Sequence, residues 1–395
     1  MSRFNTVTPR KGTRSVKWDM AEDLYQDKEV LPMWVADMDF QIPEAVKQAL
    51  QERVEHGIFG YTWPDDLIKN KITGWLDKRH NWKVEPDWIT YSPGVIPSLH
   101  MIIQALTQEK DPVLIQTPVY PPFYSVVKDH GRELITNPLE FTGDRYEINF
   151  EDFEQKIKDN QVKMFILCNP HNPVGRVWTK DELNKMSEIC VKHDVMIIAD
   201  EIHADLIFSG HTHIPIASLN EDINQRTITC LSPTKTFNLA GLQASYLVTA
   251  NKELREQIDQ QFKNQGMVML NTLGITAMEA AYEYGEEWLE ELNQTLENHR
   301  DYVMKRFHQE TQSIRVLPAE GTYLLWLDCR SLGLEQKDLK SFMQTQAKVG
   351  LNDGASFGEE GEGFMRINIA APMSILEDGV TRIIEAVHQN EEKSP

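Results

Sequence analysis

Cysteine is scarce in this chain. Cys168, Cys190, Cys230 and Cys329 are its only four, scattered and without a CxxC pair. That spacing argues against a disulfide framework or a zinc cluster and suits free thiols in a reducing cytoplasm. Basic charge is also in deficit, with 40 Lys and Arg against 60 Asp and Glu, a net charge of -20. Such a surface repels phosphate backbones, so nucleic acid is not an expected partner, although a locally basic pocket for an anionic cofactor stays open. No apolar run reaches bilayer length, and the N-terminus, MSRFNTVTPRKGTRSVKW, has no signal-type apolar segment. The expectation is a cytoplasmic protein without a membrane partner. A Gly-x-Gly-x-x-Gly loop, internal repeats and low-complexity linkers are absent as well.

With 395 residues, 41% of them hydrophobic, there is enough chain for two domains and a large core. Short apolar runs at Trp88–Tyr91, Val113–Gln116, Met164–Cys168, Val195–Ala199, Thr227–Leu231 and Ser245–Val248 read as strands. Helical patterns fall between several of them. Ser98–Leu106 is apolar on a helical period, and Thr179–His193 opens with a Thr N-cap signal followed by acidic residues. Strands alternating with helices predict an α/β layer with a mostly parallel sheet. From about Gly274 the character changes. Ala277–His308 predicts one or two long helices, followed by strands at Ile314–Leu317, Tyr323–Asp328 and Phe364–Ile369. Helices are expected near Gln336–Val349 and at Ser374–Gln389, and the tail Glu391–Pro395 is expected to fray.

Ligands of open α/β sheets bind at the carboxyl ends of strands, so the residues just past each run are the candidates. After Thr227–Leu231 comes SPTKTFNLAG, in which Lys235 could serve as a nucleophilic amine toward a carbonyl cofactor. Asp200 ends an apolar run, where a carboxylate needs a cation or several donors; a helix N-cap is its plainer role. Asn172 is presented by the rigid loop NPHNPVG, which could equally be an ordinary turn. The backbone amides after Ser92-Pro93-Gly94 open a helix and could bind an anion. Tyr120, among prolines, offers either a platform for a flat ring or a core aromatic. An amine, an acid, an amide, an anion pocket and an aromatic plate together suit pyridoxal 5'-phosphate, which has a carbonyl, a ring nitrogen, a phenolic oxygen, a phosphate and a flat ring. His211 and His213 look like a metal pair, but a surface turn is expected there. The Met267–Met278 region reads as packing, and no metal is called for.

These motifs, in the order Tyr61, Gly94, Tyr120, Asn172, Asp200, Lys235, Arg366, resemble those of fold-type I pyridoxal-phosphate enzymes of the class I/II aminotransferase superfamily over nearly the whole chain. PMWVADMDF (32–40), FGY (59–61), NPHNPVG (169–175), DEIH (200–203), SPTKTFNLAGL (232–242) and GASFG with FMRINIA (354–358, 364–370) are similar to those of the cystathionine β-lyase-like C–S lyase branch. The resemblance implies a large domain with a mostly parallel seven-stranded-type sheet flanked by helices. It implies a smaller α+β domain built from the N-terminal segment and the C-terminal part, with divisions at 1–45, 46–280 and 281–395. By position, Lys235 would form the imine with the cofactor, Asp200 would hold the pyridinium proton and Asn172 would bond the phenolic oxygen. Tyr120 and Ile202 would cover the two ring faces. The amides of Val95 and Ile96 and the Ser232 hydroxyl would hold the phosphate, with Tyr61 reaching it from a partner subunit, which implies a homodimer. Arg366 would clamp the substrate carboxylate, with Asn172 and Tyr61 nearby.

Two positions depart from the aspartate aminotransferase pattern: His203 stands for a tyrosine that contacts the phenolic oxygen, and Gln243 for an arginine that pairs with the phosphate. Both favour the lyase branch. The expected activity is α,β-elimination from L-cystathionine or related L-cysteine conjugates, giving pyruvate, ammonia and a thiol. The alternatives are an aminotransferase acting on a small or aromatic amino acid, or a regulatory side-role through protein binding.

Overall fold

The computed structural model describes residues 3–392. Its largest sheet has seven strands: β1 (Ile89–Ser92), β2 (Pro112–Thr117), β3 (Glu133–Pro138), β4 (Met164–Cys168), β5 (Met196–Asp200), β6 (Thr227–Leu231) and β7 (Ser245–Val248). They lie in the order β1-β7-β6-β5-β4-β2-β3. β7 runs antiparallel to both its neighbours, and the other adjacent pairs are parallel. β4 and β6 are buried at every residue, which is why these strands read as continuous apolar runs: helices cover both faces and no solvent side demands alternation.

Two of the expected helices come where their signals place them, whereas the one expected near Gln336–Val349 ends at Thr345, because Val349–Gly350 is drawn into a strand beside Leu31–Pro32. Val95–Leu106 follows β1, and Lys180–Lys192 begins with a full capping box between Thr179 and Glu182. The long helical stretch resolves into two helices, Thr272–Tyr284 and Glu286–Glu310, broken at Gly285. A Cβ at Gly285 would collide with the Ala281 carbonyl and the Phe237 ring, so the break is also a close packing point.

A second, wholly antiparallel sheet follows: β8 (Arg315–Val316), β9 (Leu324–Asp328), β10 (Asn352–Asp353) and β11 (Phe364–Asn368), ordered β8-β9-β11-β10. The N-terminal segment joins this part of the molecule, because Leu31–Pro32 pairs in parallel with Val349–Gly350. The last helix is Met373–Glu391, so the expected fraying does not begin at Glu391; residues 393–395 lie outside the described part.

Candidate active site

The parallel register sets the site. Cys168, Asp200 and Cys230 lie side by side at the carboxyl ends of β4, β5 and β6. The loops that follow carry Asn172, His203 and Lys235. Lys235 rides on a four-residue helix, Pro233–Thr236, whose N-cap Ser232 accepts the Thr234 amide at 3.1 Å. Its Nζ donates to the Ala36 carbonyl, which also receives the Tyr323 hydroxyl at 2.9 Å. Burial pulls the lysine down to about 8; Asp37 opposes this, Arg366 adds to it, and Asp200 also opposes it. An amine held there is available in its neutral form far more often than a surface lysine.

Arg366, on β11, is buried and lies across the sheet from Asn352. Its guanidinium donates to Asn172 Oδ1 at 2.9 Å, to the Trp34 carbonyl at 3.1 Å and to Asn352 Oδ1. The Phe357 ring lies 4.9 Å from it. Desolvation lowers Arg366 to about 10, and its Nε has no hydrogen-bond partner among the described residues. Segment 34–40 thus forms a strap touched by both Lys235 and Arg366. Asn368 holds this strap by two bonds of 2.6 Å to the Val35 and Asp37 carbonyls, and Asn238 bonds Met38 and Phe40.

Asp200 is 5% exposed, and burial raises its carboxyl to about 7. Among the described residues, the carboxylate's one hydrogen-bond donor is the Ile202 amide, at 3.2 Å. Glu201 points elsewhere, accepting from the Ile216 amide and lying 3.0 Å from His213 Nε2. His203 packs edge-on against Tyr323 with 5.7 Å between ring centroids. Its buried Nδ1 has no hydrogen-bond partner among the described residues, and desolvation pushes the imidazole down to about 3. Tyr120, its hydroxyl raised by burial, lies within electrostatic reach of Arg366 and Asp200.

The orphaned groups give a fit test for pyridoxal phosphate. A buried carboxyl with one donor matches a ring N–H, and the free His203 Nδ1 and Arg366 Nε await polar partners. The first turn of Val95–Leu106, with amides of Val95 and Ile96, starts at Gly94 and has no side-chain cap, as an anion site requires. The residues fit the group.

Of the sequence candidates, Lys235, Asp200, Asn172, His203, Tyr120, Ile202 and Arg366 come together. Ser232 is committed to the Ala244 carbonyl and Thr234 hydroxyl, both at 2.7 Å, so it caps the lysine-bearing turn. Gln243 is exposed, in a left-handed conformation. Tyr61 is 97% exposed within the single chain. Two expectations need correction. His213 is not on a surface turn: it is 4% exposed beside Glu201, a partner that no local pattern reveals, while His211 is exposed. Met267–Met269 are exposed rather than packed, though Met278 is buried. Tyr323 and Asn352 were not singled out by the sequence; each lies in or beside a strand without a motif of its own.

The model of the family described as aminotransferase class I and II matches residues 28–386. Cystathionine beta-lyase PatB of Bacillus subtilis (strain 168) is 44% identical over 384 residues, 97% of this chain and 99% of that protein. The crystal structure of cystalysin from Treponema denticola, which contains pyridoxal 5'-phosphate, superposes with a TM-score of 0.96 at 35% identity, covering 98% of this chain and 99% of that one. The PLP-bound C-S lyase from Staphylococcus hominis does so with a TM-score of 0.92 at 31% identity, covering 98% of each. The chain belongs to the class I and II aminotransferase family, with pyridoxal phosphate as its cofactor.

Proposed function

We propose that this protein is a carbon–sulfur β-lyase, cleaving L-cystathionine or a related L-cysteine conjugate to pyruvate, ammonia and a thiol. The observation that carries this is the 44% identity to a cystathionine beta-lyase over 97% of the chain, and the site contains the groups that the reaction needs. Arg366 receives the substrate carboxylate, with its orientation held by Asn172, Asn352 and the Trp34 carbonyl. Lys235, lowered to about 8, takes the Cα proton as a general base. The bound cofactor supplies the electron sink for the pair left at Cα. Asp200 would keep a proton on the ring nitrogen, and Tyr120 and Ile202 would cover the ring. The Cβ–S bond breaks with its electron pair on sulfur, and water supplies the oxygen of pyruvate.

The functional unit in this proposal is a homodimer in which Tyr61 serves the partner's phosphate site. It works in the cytoplasm, consistent with four unpaired, buried thiols. The divisions at 1–45, 46–280 and 281–395 are kept as the proposed domains.

The test is incubation of the purified holoenzyme with L-cystathionine, with and without a 2-oxo acid, assaying pyruvate and free thiol. Pyruvate and thiol formed without the 2-oxo acid are expected. Amino transfer that depends on the acceptor, with no thiol released, would replace the lyase with an aminotransferase.

A further inference from the structure

Asp205 lies five residues beyond Asp200 and touches none of the groups assigned above to cofactor or substrate, yet it joins three parts of the fold. It is buried, and its carboxylate receives the Trp75 indole N–H at 3.1 Å and the Thr236 hydroxyl at 2.9 Å. His80 Nε2 lies 3.0 Å from the same group. Its backbone carbonyl accepts Asn293 Nδ2 at 2.9 Å. Trp75 and His80 belong to helix Asp66–His80, Asn293 to helix Glu286–Glu310, and Thr236 to the turn that carries Lys235.

That turn cannot hold its own shape. Four helical residues are far below the length at which a helix sustains itself. One end is fixed by Ser232 capping the Thr234 amide. At the other end, the residue just past the lysine is tied through its side chain by the bond from Thr236 to Asp205, and Asn238, two residues further on, bonds the strap at Met38 and Phe40 rather than the turn. Hydrogen bonds to a buried carboxylate are strong and escape competition from water, so this tie fixes the rotation of the turn.

We propose that Asp205 is a positioning residue for Lys235, acting through the Thr236 hydroxyl to hold the lysine-bearing turn in the orientation that turnover requires. The proposal rests on Lys235 as the cofactor-bearing amine. Glu201 and Asp205, buried near Asp200, then have distinct duties: Glu201 holds the 213–216 loop, Asp205 orients the lysine turn, and Asp200 is left for the ring nitrogen.

The test is Thr236→Val in the holoenzyme, which keeps the side-chain shape and puts a methyl in place of the hydroxyl that donates to Asp205. The expected result is a kcat for L-cystathionine lower by roughly 10- to 100-fold, an unchanged KM and a shifted visible absorption band. Thr236→Ser restores both kcat and band. Asp205→Asn, which keeps an acceptor without the charge, falls between wild type and Thr236→Val. Wild-type kcat and band in Thr236→Val overturn the proposal whatever the Tm, and so does a loss that Thr236→Ser fails to restore. Lys235→Ala separates the two levels. If that variant keeps the visible band, the assignment of Lys235 falls; if it loses the band while Thr236→Val stays normal, only the role of Asp205 falls.

Discussion

Burial moves Asp200 and Lys235 in opposite directions, the carboxyl up to about 7 and the amine down to about 8. Each is a folding cost that the cofactor, held by these two groups as proposed, would relieve. For Asp200 the sign is clear. The folded value lies above the ordinary 3.8, so the native state holds the proton more tightly, and the stability this group contributes falls as pH rises from about 4 to about 7. Asp200→Asn is therefore expected to stabilise the cofactor-free protein above pH 7, by at most about 4 kcal/mol at about 1.4 kcal/mol per pH unit, with the gain vanishing toward pH 4. Thermal melts of wild type and variant from pH 4 to 8, with and without added pyridoxal phosphate, measure this. The cofactor should raise the Tm of the wild type far more than that of the variant. Lys235→Ala should lose the visible band and the turnover together. Arg366→Ala should raise KM by a factor equivalent to roughly 2–5 kcal/mol, because it removes a desolvated clamp; steady-state kinetics read this directly.

Among the elements, the buried strands and the Thr179 cap were legible because their signals are local: an unbroken apolar run, or an N-cap followed three residues later by Glu182. β3 was not legible. It is one of the two edge strands, ELITNP, with its ends exposed, so it lacks the apolar run of its neighbours. β10 is two residues long and carries no periodicity, yet it brings Asn352 onto Arg366. Lys235, Asp200, Asn172 and Tyr120 were legible because each ends or follows a strong strand, Arg366, inside β11, only through the family resemblance, while Asp205, Tyr323 and Asn352 act through partners distant in sequence. The GASFG motif acquires a physical reason. A Cβ on Gly354 would run into the Gly361 and Phe364 carbonyls. This turn also places Phe357 under Arg366, and the Phe357 carbonyl accepts the Val119 amide at 2.8 Å and the Tyr124 hydroxyl at 2.7 Å. Gly354→Ala is expected to cost about 2 kcal/mol or more and to raise KM, since the turn supports both the Arg366 clamp and the Tyr120 loop. Denaturant unfolding and substrate titration check the two effects.

At the scale of the whole molecule, one surface does not suit a solitary chain. Ile58, Phe59, Tyr61 and Trp63 are 66%, 55%, 97% and 79% exposed, and Val268 and Met269 are 63% and 43% exposed. The two segments are tied together by the Thr62 and Thr272 hydroxyls at 2.7 Å. Large apolar side chains gathered at one place mark an interaction surface, and in the proposed homodimer a second copy with the same patch would satisfy it symmetrically. Sedimentation should give about twice the 45.6 kDa chain mass, and Trp63→Asp should shift the population toward monomer with loss of activity. Subunit mixing tests whether Tyr61 works across the interface. Tyr61→Ala and Lys235→Ala are each expected to be weak or inactive alone. After dissociation and random reassociation roughly half of the dimers carry one of each chain, and if Tyr61 serves the partner's site, each such dimer has one site with both residues intact, giving about a quarter of wild-type activity. If Tyr61 serves its own chain, neither site of the mixed dimer is complete and nothing returns. Recovery therefore requires a shared site, and its absence from a mixture proven to contain mixed dimers would confine Tyr61 to its own subunit.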